Sequence, residues 1–98
     1  YEPAIIIAAV NDTVTFVFGG KADTVTQTTF ESPCVKMPGG FDSGYAGVGT
    51  NTSGTQPTWD LHISDSSQPI WFFCQAVVPA SHCAAGMVGY VVFKTPRN

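Results

Sequence analysis

Along most of this chain, apolar and polar residues alternate with a period of two, the pattern of strands that bury one face. Val14, Phe16 and Phe18 fall on one side, Thr13, Thr15 and Val17 on the other, and Gly19–Gly20 closes the run. Trp59, Leu61 and Ile63 alternate in the same way with Asp60, His62 and Ser64. Residues 4–10 are apolar almost throughout and Ile-rich at the start, which suits a strand better than a helix of that length. Residues 24–30 are again rich in β-branched side chains. The run Ile70, Trp71, Phe72, Phe73 has no polar alternation and predicts a strand buried on both faces, and residues 88–93 predict a closing strand that ends before Pro96. Between them, residues 33–57 carry six glycines (39, 40, 44, 47, 49 and 54) and read as loop, with room for one short helical turn. There is no internal repeat, heptad or amphipathic helix. Roughly seven short strands in one domain spanning residues 1–98 predict an all-β, Greek-key β-sandwich.

Composition narrows the partners. The 98 residues include only four Lys and Arg against seven Asp and Glu, with a net charge of −3 and a pI near 4.9. No basic patch for nucleic acid can form from so few cations. No apolar run approaches the roughly 20 residues that span a bilayer as a helix. Asn11–Asp12–Thr13 and Asn51–Thr52–Ser53 both fit the N-glycosylation acceptor pattern. With three cysteines in a small, Thr-rich, Lys-poor chain, and a start at Tyr1 such as processing leaves, they predict a secreted protein.

The candidate chemistry lies between the last two apolar runs. Cys74, His82 and Met87 place a thiol, an imidazole and a thioether within fourteen residues. A loop between two strands can aim such side chains at one point, and this soft donor set suits a single copper ion. In extended chain neighbouring side chains point to opposite sides, so His82 and Cys83 do not serve one metal together. If His82 faces a site shared with Cys74, Cys83 turns away and is free to pair with Cys34. The plainer reading stands beside this one: Cys74 as an inert core cysteine, Met87 as core filler and Asp23 as a polar turn residue. His62 falls on the polar face of its strand, away from Trp59, Leu61 and Ile63, which argues against its ligating a buried site.

The whole pattern resembles the cupredoxins, most closely the phytocyanin-like proteins secreted by plants and fungi. The likeness rests on Asp12–Thr13–Val14–Thr15–Phe16, Thr24–Val25–Thr26–Gln27, Pro33–Cys34 with Phe41–Asp42–Ser43–Gly44, and the closing segments Pro69–Ile70–Trp71–Phe72–Phe73–Cys74 and His82–Cys83–Ala84–Ala85–Gly86–Met87. It implies copper ligation by Cys74, His82 and Met87, and a disulfide between Cys34 and Cys83. Two departures stand out. Asp23 occupies the place of the family's first histidine, and seven residues separate Cys74 from His82, more than the family usually has.

If Asp23 takes the missing imidazole's role, the ligands become one carboxylate, one imidazole, one thiolate and one thioether. A harder anionic donor favours Cu(II), lowers the reduction potential and pulls the geometry towards a green or red centre. The expected function is therefore that of a secreted, monomeric copper protein with a type 1-like site, passing single electrons to an unknown partner protein and catalysing no reaction of its own. The alternatives are a cell-wall or surface protein that keeps the fold without electron transfer, attached through parts outside this chain, and copper binding or buffering alone.

Overall fold

In the computed structural model, the structure describes residues 1, 4–20, 22–49, 55–64, 68–77 and 80–93. Its six strands are β1 (Ile5–Ala8), β2 (Thr13–Val17), β3 (Thr26–Thr28), β4 (Thr58–His62), β5 (Ile70–Phe73) and β6 (Val88–Phe93). They form a four-stranded sheet in the order β1-β6-β5-β3 and a two-stranded sheet of β2 and β4. β1 runs parallel to β6, and the other pairs are antiparallel.

The period-two pattern chooses the buried faces. Phe72 of β5 and Val91 of β6 are fully buried with Ala8 of β1, while Leu61 of β4 and the half-buried Val14 and Phe16 of β2 meet them from the second sheet. The Phe16 and Phe72 rings join the two sheets edge to face, 5.3 Å apart. One core thus lies between two sheets, as in a β-sandwich. Truncating a fully buried ring such as Phe72 to alanine ordinarily costs about 3–5 kcal/mol.

The details differ in part from the sequence expectation. The described residues hold six strands, where roughly seven are expected over the whole chain. Residues 24–30 contribute only the three-residue β3, because residues 41–46 run beside residues 23–27 as irregular chain, not as a strand. The amides of Gln27, Ser43, Asp23 and Ala46 bond across that seam to the carbonyls of Phe41, Val25, Ala46 and Asp23. The glycine-rich segment forms turns and bends, with no helical turn among its described residues. In β5 only Phe72 and Phe73 are buried, whereas Ile70 and Trp71 are half-buried.

Asn11 sits exposed in the β1–β2 turn at φ 76°, a left-handed conformation that asparagine tolerates better than most residues. Asn51, the other glycosylation candidate, lies outside the described residues, as does Pro96.

Candidate metal centre

At one end of the sandwich the regular ladder between β3 and β5 gives out. Thr26 faces Phe73, and one residue further along the chain Cys74 follows at the end of β5, 1% exposed. The Cys74 amide donates to the Met87 carbonyl at 3.1 Å, which ties this point to the approach to β6. The His82 amide donates to the Ala76 carbonyl at 2.9 Å, so His82 is held beside a residue only two past Cys74 despite the long sequence gap. Residues 82–86 then turn, with the Met87 amide bonded to the His82 carbonyl at 2.8 Å and Gly86 at φ 104°. A side chain at that φ would be strained, so glycine is what returns the chain to β6.

Asp23 arrives from 51 residues away. Its amide and carbonyl pair with Ala46 on the 41–46 segment, which fixes its backbone before its side chain is considered. Gly20 leaves space for the carboxylate, since a Cβ there would lie 2.4 Å from Asp23 Oδ2.

These constraints bring three donors together. Cys74 Sγ lies 3.4 Å from Asp23 Oδ1 and 3.7 Å from His82 Nδ1, and Nδ1 lies 3.0 Å from Oδ1. A triangle with these sides has its centre about 2.0 Å from each corner, within the range of metal–nitrogen and metal–oxygen bonds and slightly short of a metal–sulfur bond. In the metal-free protein the thiol and the imidazole Nδ1–H both donate to Asp23 Oδ1, so protons fill the space between the donors. A thiolate, an imidazole and a carboxylate converging at this spacing fit a small transition-metal ion.

The sulfur has further support. The amides of Thr24 and Ala76 both donate to Cys74 Sγ at 3.4 Å. Burial pushes the Cys74 thiol above its ordinary pKa, and the adjoining Asp23 adds to the rise against the pull of these two amides. The site therefore holds a neutral thiol at neutral pH.

The same three residue types also serve nucleophilic catalysis, and the geometry separates the two uses. A Cys–His–Asp relay sets the thiol on one ring nitrogen and the carboxylate on the other. Here both meet the same Nδ1. Convergence on one atom suits coordination, not proton relay.

Met87 is half-buried and shares with Asp23 and Phe18 the lining of a cavity of about 470 Å³. His62 is exposed on β4 and stands outside the donor group. Cys34 and Cys83 form a disulfide across 49 residues, which leaves Cys74 as the free cysteine.

The alternation of apolar and polar positions gives little sign of the polar residues around the donors. Thr24 and Thr26 are fully buried and joined through their hydroxyls at 2.8 Å. Tyr1 donates its phenol to the Thr24 carbonyl at 2.5 Å while its ring packs edge-on against Phe72. Burial, with Cys74 and Asp23 nearby, pushes the Tyr1 phenol far above its usual pKa. The one available signal is threonine at every second position from 24 to 28 beside apolar strands. No known family model matches this chain, and no curated protein matches it.

Proposed function

We propose that this chain is a small secreted cupredoxin, a Greek-key β-sandwich that binds one copper ion in an atypical type 1-like site and carries single electrons as a monomer. The observation that carries the reading is the convergence of Cys74 Sγ, His82 Nδ1 and Asp23 Oδ1, with two amides pointing at the sulfur. Bound copper would supply the Cu(II)/Cu(I) couple.

The protein's own part is to hold the donors still. Cys74 supplies the thiolate, its charge eased by the Thr24 and Ala76 amides. Asp23 supplies a hard anionic donor fixed by its backbone pairing to Ala46. His82 supplies the imidazole, and with its side chain 28% exposed it is the group of the three nearest solvent and the route for the electron. Met87, whose backbone amide donates to the His82 carbonyl, would supply the thioether. A frame that keeps the same donors in both oxidation states makes little reorganisation necessary on electron transfer. The exposed Asn11 and the disulfide support secretion.

The test is a titration of the metal-free protein with Cu(II), followed by visible absorption. An intense thiolate-to-copper band saturating at one equivalent is expected, with a green or red colour. Asp23→His should then shift its weight to longer wavelength, towards blue. Absence of any such band, with Cys74 still reactive towards thiol reagents after copper addition, would refute the reading in favour of a surface protein that keeps only the fold.

A further inference from the structure

The antiparallel register of β3 and β5 sets Thr26 opposite Phe73. Carried two residues further it sets Thr24 opposite Gln75, yet no backbone ladder joins them. Side chains take over. The Gln75 amide N–H donates to Thr24 Oγ1 at 2.9 Å. The Gln75 side-chain amide donates to Thr26 Oγ1 at 2.8 Å and to Asp42 Oδ2 at 2.9 Å. Asp42 is in turn gripped by the Gly44 N–H at 2.9 Å and the Thr26 hydroxyl at 3.2 Å. Gln75 follows Cys74 directly, and its bonds reach both segments that locate Asp23: residues 24–26 on one side and residues 41–46 on the other.

We infer that Gln75, anchored on Asp42, is a positioning residue of the centre: it holds the Asp23-bearing chain against Cys74 at the separation the three donors need. The inference rests on the copper reading above and adds to it the residue that governs the donor spacing. The amide suits the place because it offers two N–H donors to two acceptors on different segments. A hydroxyl has one donor, and a carboxylate would face Asp42 with acceptors only. Burial would raise the Asp42 pKa, but the Gly44 N–H, the Gln75 amide, the Thr26 hydroxyl and the Lys36 charge hold it below the ordinary carboxylate value, so the anchor is an anion at neutral pH. Groups behind a metal's ligands orient them, and losing such a group commonly weakens binding about 10–100-fold.

The experiment titrates Cu(II) into wild type, Gln75→Ala, Gln75→Glu and Asp42→Asn. It records affinity, the absorption band at saturation, and the thermal midpoint of each metal-free protein. Gln75→Ala and Gln75→Glu should bind about 10–100-fold more weakly and show a displaced or broadened band. Asp42→Asn leaves one oxygen where Asp42 uses two, so its NH2 faces either the Gln75 amide or the Gly44 N–H and the Thr26 hydroxyl, and it should weaken binding and displace the band in the same direction as Gln75→Ala. An unmoved band in Gln75→Ala overturns the positioning role, including the case in which affinity falls only in step with stability. If Gln75→Ala does not fold, Asp42→Ala decides the matter by the same two readouts. A wild-type protein that forms no one-to-one complex overturns the copper centre and this inference together, whereas wild-type binding with an unmoved Gln75→Ala band overturns this inference alone.

Discussion

At the scale of single residues, the centre depends on what stands behind each donor as much as on the donors. Gly20 is the sharpest case. An added methyl would sit 2.4 Å from Asp23 Oδ2, well inside van der Waals contact, so either the carboxylate or the turn must move. The Asp23 side chain is short, and its backbone is paired to Ala46 on the far side. The carboxylate therefore swings away from Cys74 and His82. Gly20→Ala should leave the fold's thermal midpoint close to wild type and weaken Cu(II) binding about tenfold, the size usual for a misdirected ligand. Calorimetric titration beside a thermal melt checks both halves. Unchanged affinity would mean that Asp23 tolerates displacement and is no essential donor.

At the scale of elements, the Cys34–Cys83 disulfide joins the segment after β3 to the turn that carries His82. Closing a 49-residue separation restricts the unfolded chain by about 4 kcal/mol on the chain-entropy argument. The bond also fixes the residue next to His82. Cys34→Ser should therefore lower the denaturation free energy by about 2–4 kcal/mol and weaken metal binding more than a remote change of equal stability cost. Denaturant melts and Cu(II) titrations compared with Ile63→Ala, a fully buried core change outside the loop that ordinarily costs about 2–5 kcal/mol, separate the two effects. The strands themselves were legible where alternation was clean, as in β2 and β4, where every second residue turns inward. β3 was read too long because threonines at 24, 26 and 28 look alike in sequence, whether bonded in a ladder or through their hydroxyls. Of the three converging donors, Cys74 and His82 are close in sequence, and the sequence pointed to them together with Met87. Asp23 stood out only through its place in the resemblance. Gln75 carried no signal and Asp42 only its place in the segment Phe41–Asp42–Ser43–Gly44 of the resemblance, since polar residues in so polar a chain form no pattern, and only tertiary packing decides which hydroxyls and amides are buried.

At the scale of the whole molecule, scarcity of charge decides how the protein responds to pH. Four Lys and Arg and seven Asp and Glu leave few groups to titrate above neutrality, so two buried acids weigh heavily. Burial raises the pKa of the Cys74 thiol above 9.0 and that of the Tyr1 phenol above 10.0. A raised acid keeps its proton in the folded state after the unfolded chain has released it. The folded protein then binds more protons than the unfolded one, and stability falls as pH rises. The loss begins as pH passes the unfolded thiol value and continues past the unfolded phenol value. Metal-free protein should therefore melt at a steady temperature from pH 7 to about pH 8, then at falling temperatures from about pH 9 upwards. Cys74→Ala should remove the first part of the fall, and Tyr1→Phe the part above about pH 10. A melting temperature that stays level to pH 10.5 in wild type would show that these groups ionise freely in the fold, and that the donor site is open to water.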